Sequence, residues 1–539
     1  MIDSRDAALA RLESERFDCL VIGGGATGLG VAVDAASRGW RTALVEAHDL
    51  AKGTSSRSTK LVHGGVRYLE QLDIALVREA LHERGLMARN APQIVGDLRF
   101  VVPRYSWWEA PFYGAGLKLY DALAGKLNLA PSRLLSRDET IAAIPNVQRD
   151  GLLGGVEYHD GQFDDSRMAV ALARTAADHG ALILTRCRVD SLRRDGDRVS
   201  GAVVVDEESS RRLSIRARCV VNATGIFADS IRRLEHAGAA PVIEPAQGVH
   251  LVLSREFQPS ASAIMVPHTD DGRVLFVIPW HDRVLVGTTD TPMTEPQIEP
   301  RALDEEIEFI LRNAARYLER DPSRHDILSV FAGQRPLVHR GGAVAGAGAA
   351  PSKSISRSHE VFVGPGGMVT IVGGKWTTYR RMAEDALDRA VEATLLDPRE
   401  CRTHELRLHG WVAARDADDA WLASFGSDRA ALERVLDERP EWREPLHPRL
   451  PGTLGVAAWA VRHEWALHVE DVLARRTRSL LLDARASMEC AERVASVMAR
   501  ERGLGPDWEA EEVRSYAELA RGYLPAHSGR AADRDRGSK

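Results

Sequence analysis

Gly23-Gly24-Gly25-Ala26-Thr27-Gly28 carries the spacing G-x-G-x-x-G, and an acid, Glu46, stands eighteen residues beyond its last glycine. Such a string suits the pyrophosphate of a dinucleotide. Gly23 permits a tight turn, Gly25 lets the backbone approach the phosphates, and Gly28 lets a helix pack on the preceding strand. The unpaired N–H groups and positive end of that helix then meet the anion. Glu46 is placed to accept hydrogen bonds from ribose hydroxyls. Alone, a glycine string is common in turns and a strand-end acid is usually a solvated carboxylate; strand, helix and acid in this order favour a dinucleotide. Nicotinamide enzymes and flavoenzymes share the fingerprint, and the residues leave that choice open. The stretch Gly341-Gly342-Ala-Val-Ala-Gly346-Ala-Gly348 leads into Pro351 and polar residues, so it reads as a mobile loop and not as a second fingerprint. With one nucleotide site, the cofactor is either diffusible NAD or resident FAD reoxidised by something other than NAD.

The elements around this string follow from periodicity. Phe17–Gly23 is an apolar strand, 26–38 a helix rich in Ala and Val, and 41–46 a second strand, giving one βαβ unit. Residues 76–90 read as a helix with a polar face, and 186–221 as a β-meander. The runs 250–253, 274–279 and 284–287 suggest a second sheet, and a strand at 368–372 ends in Gly373-Gly374 before a helix from about Thr377. From about 400 the texture turns helical, with Met488, Ala491, Ala495 and Met498 on one stripe. The fold class expected is α/β: a Rossmann-like dinucleotide-binding domain (17–75, 145–235, 330–397), a mixed-sheet substrate domain (76–144, 236–329), an all-helical C-terminal domain (398–525) and a disordered tail (526–539).

Composition excludes several classes. A chain of 539 residues is long enough for two to four packed units. Its net charge of −6 gives no nucleic-acid footprint. Five scattered cysteines offer neither a disulfide framework nor a metal site, which fits a reducing cytoplasm. No apolar run reaches the ~18 residues of a spanning helix, and the first sixteen residues lack the core of a secretory signal.

Thr54-Ser-Ser-Arg-Ser-Thr-Lys-Leu-Val-His63-Gly64-Gly65-Val-Arg67-Tyr68-Leu69-Glu70 resembles the signature of the FAD-dependent, respiratory glycerol-3-phosphate dehydrogenases, as does Gly373-Gly374-Lys375-Trp376-Thr377-Thr378-Tyr379-Arg380. Between them 222–225, 276–280, 287–290 and 333–337 follow the order of that family, and 461–477 resembles its helical C-terminal domain. Four positions depart: Ile226-Phe227 where Pro-Trp is usual, Ser358 after Arg357 where an Asp is usual, and Trp376 for a leucine.

The resemblance implies a fold like that of glutathione reductase and D-amino-acid oxidase, resident FAD, sn-glycerol 3-phosphate as substrate and a membrane quinone as acceptor. It leaves a homodimer open. Ser55, Ser56 and Thr59 would offer hydroxyls, and Lys60 a cation, beside the diphosphate and flavin. Gly64 and Gly65 would let the backbone approach a flat ring, the backbone of Val189 would meet adenine, and Gly225 would join the cofactor site. Gly374 and Lys375 precede the Thr377 helix, whose N-terminus would stabilise charge on the reduced flavin. The C–H bond of a secondary alcohol is not acidic, so hydride must leave to the flavin as a base takes the hydroxyl proton. His63 and His250 are the two candidates, and the choice between them stays open. A phosphate monoester calls for arginine: Arg335, also counted as catalytic, and Arg357, with Lys375 as a third cation. The ordinary reading of any one arginine is a solvated pair, but Pro336 fixes Arg335 beside an apolar run.

Phe100, Tyr105, Trp107, Trp108, Phe112, Tyr113 and Tyr120 put seven aromatics into twenty-one residues, accompanied by Arg104, Lys118 and Lys126. Such a mixture suits a membrane interface, and the alternative is the core beneath a cap domain. The expected location is cytoplasmic, peripheral on the inner face of the cell membrane. Competing functions are an oxidase of glycerol 3-phosphate using oxygen, an amine or amino-acid oxidase, and a non-enzymatic nucleotide-binding interaction module.

Overall fold

Two sheets and a C-terminal layer of helices make up the protein, whose computed structural model describes residues 4–65, 73–338, 359–414 and 420–525. The 341–350 loop, Arg357 and the 526–539 tail lie outside the described residues, as do Arg67 and Tyr68. Among the described residues the first sheet has eight strands. Arg16–Ile22 lies at its centre, parallel to both Thr42–Val45 and Arg212–Asn222. The apolar run Cys-Leu-Val-Ile of this strand is buried, as a parallel strand covered on both faces requires. Helix Ala26–Ser37 crosses over it and packs between the helices Asp165–Asp178 and Tyr379–Glu392. Its Ala-, Gly- and Val-rich sequence fits because nearly every face is covered.

The second sheet has ten strands among the described residues, built around Ile243–Ser254 between Arg283–Gly287 and Ile327–Val338. Here the expected domain limits need correction. Gly154–Phe163 is antiparallel to Val95–Arg104, and Leu61–Val62 adds to its edge, so both belong to this sheet and not to the dinucleotide-binding unit. Ile327–Val338 belongs here too. Strand periodicity shows which residues face a core but not which sheet supplies the neighbour.

Helix Arg5–Ser14, unanticipated from its charge alternation, is capped by the Ser4 side chain and buries Ala8, Leu9 and Leu12 beneath the first sheet. The C-terminal region is helical apart from a hairpin of Pro445–His447 and Leu450–Thr453. Ala491, Ala495 and Met498 are buried on helix Ala491–Arg502, while Met488 sits partly buried on the preceding short helix.

This region docks through buried charge as well as apolar packing. Asp49 accepts from Arg476 at 2.6 and 2.8 Å and also from Arg475. Arg167 and Glu464 form a bidentate pair with both bonds at 2.6 Å. Removing one partner of such a buried pair costs about 3–5 kcal/mol, since it leaves an uncompensated charge. The C-terminal region is thereby locked to the loop that follows the second strand. Among the described residues no helix is long and apolar enough to cross a membrane.

Candidate active site

A cavity of about 680 Å³ opens where the parallel strands end, lined by Ile22, Gly23, Val45, Glu46 and Ala223 on one side and by residues of the second sheet on the other. Ligands bind at the carboxyl ends of such strands because the loops diverge there. Gly23 takes φ +110°, where a Cβ would meet the Ala223 carbonyl oxygen, and a Cβ on Gly28 would overlap the Gly23 carbonyl. Substitution at either place must break the turn. Gly25 caps helix Ala26–Ser37, whose first amide, on Ala26, donates to Ser55 Oγ at 2.9 Å. Glu46 accepts from the amides of Gly24 at 2.5 Å and His48 at 2.8 Å. Burial raises the Glu46 carboxyl, against the opposing pull of these two amides.

The other expected cofactor residues divide. Ser55, Thr59, Gly65, Val189, Gly225, Gly374, Lys375 and Thr377 all line the cavity. Trp376 joins them, its indole donating to the Ser55 carbonyl at 2.8 Å, so it latches the two loops together. Gly225 has φ +58° and open space where a side chain would be.

Ser56, Lys60 and Gly64 are corrections, since they lie behind the cavity wall. Lys60 is fully buried, with Nζ 2.6 Å from Asp165 Oδ2 and 2.7 Å from the Ser56 carbonyl. Burial pushes its ammonium down to about 7 despite the Asp165 charge. Gly64 makes room for Leu81 and Tyr120, and its amide donates to Tyr120 Oη at 2.8 Å. Sequence could not show this, because Asp165 and Tyr120 are remote in the chain.

The second sheet brings two of the expected catalytic groups to the same cavity. Arg335 Nη1 donates to the Thr289 carbonyl at 3.1 Å and to Asp290 Oδ1 at 3.2 Å, and Nη2 to Thr288 Oγ1 at 3.1 Å. Gly248 admits the guanidinium, which a Cβ there would strike. His250, 2% exposed, stacks on Phe331 with centroids 5.0 Å apart. Burial first, then the nearby Lys60 and Arg335 charges, hold its imidazole well below the usual range. It is therefore neutral at pH 7, as a proton acceptor must be. His63 is half-buried on the wall, its carbonyl 3.5 Å from Thr377 Oγ1.

Among the charged wall residues that were not singled out are Arg273 and Arg57. Arg273 lies 3.9 Å from Asp290 and 3.1 Å from Asp271. Arg57 binds Glu299 at 2.6 Å and Tyr523 Oη of the C-terminal region at 3.0 Å. Arg57 stood inside the signature, but Arg273 occupies an Asp-Gly-Arg turn that carries no signal of its own.

A glycine turn at a helix N-terminus, an acid on the next strand and a long cavity reaching a second sheet define a nucleotide-dependent oxidoreductase. The sequence profile of the FAD dependent oxidoreductases matches residues 18–380, and that of the C-terminal domain of alpha-glycerophosphate oxidase matches 368–512. The mitochondrial glycerol-3-phosphate dehydrogenase of Mesocricetus auratus is 40% identical over 96% of this chain and 74% of its own. That of Homo sapiens is 39% identical over 97% and 75%. A glycerol-3-phosphate dehydrogenase from Bacillus halodurans, solved with FAD, superposes with a TM-score of 0.79 at 28% identity, covering 97% of this chain and 98% of that one. The chain belongs to the FAD-dependent glycerol-3-phosphate dehydrogenase family, and its cofactor is FAD. The Gly23–Gly28 turn, the open space at Gly225 and a cavity lined from Glu46 and Val189 to His250 and Arg335 fit that cofactor.

Proposed function

We propose that the protein oxidises sn-glycerol 3-phosphate to dihydroxyacetone phosphate and delivers the electrons to a membrane quinone. The observation that carries the substrate reading is one cavity holding a neutral buried imidazole, His250, and the guanidinium of Arg335. A nucleotide-binding interaction module needs neither group. FAD supplies the acceptor for the hydride that leaves C2 of the substrate. Arg335 binds the phosphate, with Lys375 and Arg357 as further cations; Asp290 and Thr288 orient its fork. His250 takes the hydroxyl proton, and His63 helps to position the substrate. The test is direct. The purified protein is expected to be yellow and to bleach anaerobically on adding sn-glycerol 3-phosphate. A colourless protein that reduces added NAD would overturn the reading.

The acceptor is argued from a surface. The aromatic cluster divides: Phe100 stacks on Tyr158 at 5.0 Å and Tyr120 donates to Asp160 at 2.8 Å, so both belong to the core. Trp107 is 79% exposed and Trp108 46% exposed at the start of helix Glu109–Ala124, with Leu119 exposed further along that helix and Leu134 exposed on strand Arg133–Leu135; the side chain of Phe112 lies outside the described residues. Exposed Trp and Leu in a stretch that also carries Lys118 and Lys126 suit an apolar membrane boundary with charged headgroups. Trp107→Ser with Trp108→Ser is expected to move the protein from sedimenting liposomes to the supernatant and to lower quinone reduction, while substrate still bleaches the flavin at the native rate. Wild-type protein that ignores liposomes and quinone analogues and makes stoichiometric hydrogen peroxide would establish the oxidase instead.

A further inference from the structure

We propose that the hydroxyl of Thr59 is a catalytic group that relays the substrate's hydroxyl proton to His250. This rests on the reading of the site as alcohol-oxidising with His250 as base. The His250 ring is enclosed on several sides. Phe331 stacks on one face with an interplanar angle of 19°. Cδ2 fills the space that a Cβ on Gly287 would need, and Nδ1 is buried without a hydrogen-bond partner among the described residues. The remaining nitrogen, Nε2, lies 2.9 Å from Thr59 Oγ1. Thr59 itself is half-buried and lines the cavity. Both residues line the cavity, and this hydrogen bond gives a proton a path from the cavity to Nε2 through Thr59 Oγ1.

The neighbours of Thr59 are anchored on both sides. Ser58 Oγ donates to Asp165 Oδ2 at 2.7 Å, and the Lys60 ammonium donates to the same oxygen at 2.6 Å. Arg478, from the C-terminal region, donates to Asp165 Oδ1 at 2.9 Å. One carboxylate thus holds residues 58 and 60, and the hydroxyl between them has a fixed place. The charges bearing on His250 are Lys60 and Arg335, and those bearing on Lys60 are Asp165, Arg478 and Asp164.

The step balances. As the C2–H bond breaks, its electron pair and proton leave together as hydride for the FAD. The substrate O–H bond also breaks, and its proton bonds to Thr59 Oγ1. The proton that Thr59 carried passes to His250 Nε2, leaving a ketone, an unchanged threonine and an imidazolium. Before the step, Nε2 must be the acceptor, with the ring proton on Nδ1.

Thr59→Val in the holoenzyme keeps the shape and removes the hydroxyl. Anaerobic flavin reduction by sn-glycerol 3-phosphate is expected to slow about 10²-fold, with Thr59→Ser restoring it to within a few-fold. FAD content and the flavin spectral change on titrating dihydroxyacetone phosphate should match wild type. A proton inventory in mixed light and heavy water on the wild type gives a second measurement: two protons in flight curve the plot, whereas a straight line overturns the relay. Thr59→Val holoenzyme reducing its flavin at the native rate also overturns it. If His250→Asn is slow in that case, the base assignment survives. If His250→Asn is native too, that assignment falls with the relay.

Discussion

Arg335→Ala is expected to lower kcat/KM for sn-glycerol 3-phosphate by about 10²–10⁴-fold while the protein keeps its FAD. The guanidinium can give the phosphate two charge-assisted bonds, each worth ~1.5–3 kcal/mol. Their joint loss is about 3–6 kcal/mol, and each 1.4 kcal/mol is a factor of ten. The side chain is 30% exposed, so solvent screening pulls the effect toward the lower end. Arg335 already contacts Asp290 at 3.2 Å and Thr288 at 3.1 Å, which hold its fork in one orientation before substrate arrives. Arg335→Lys keeps the charge but loses the planar fork, so its rate should fall between the two. The diagnostic comparison is glycerol, which lacks the phosphate. If Arg335→Ala loses as much activity on glycerol as on glycerol 3-phosphate, the arginine has another task.

What the sequence disclosed was local, and what it hid depends on distant partners. The Gly23–Gly28 turn was legible because its constraint is steric and confined to a few residues: the space a Cβ would need is taken by Gly23 and Ala223 carbonyls. The meander was legible for the same reason, and its three strands appear as Cys187–Asp195, Arg198–Asp206 and Arg212–Asn222. Lys60 was misread because a lysine beside a phosphate site and a lysine buried against an aspartate have the same local sequence. Only the fold brings Asp165 and Arg478 to it. Gly64 followed the same course: its lack of a side chain serves Leu81 and Tyr120, not an incoming ring. The aromatic cluster was visible as a count, yet a count cannot separate Phe100 in the core from Trp107 at the surface. Sheet membership was hidden by the same limit, as the strand Gly154–Phe163 shows.

His250→Asn is expected to slow flavin reduction by substrate about 10²–10⁴-fold, the usual contribution of a positioned general base. Asparagine keeps a polar group near Thr59 but cannot take up a proton at neutral pH. The spectrum and FAD content of the variant should remain those of wild type, because the Gly23–Gly28 turn and Glu46 stand on the other sheet. The argument for His250 is electrostatic as well as geometric. Burial and two neighbouring cations hold the His250 imidazole well below the ordinary histidine value, so the wild-type rate should hold as pH falls through ~6.5. A base with an ordinary value would lose activity tenfold for each pH unit below that point. His63→Asn should mainly raise KM, since that residue is half-buried on the wall whereas His250 is buried. Single-turnover mixing without oxygen separates these effects, because it reads the chemical step apart from reoxidation. A His250→Asn protein that reduces its flavin at the native rate, beside a His63→Asn protein that does not, would transfer the role of base to His63.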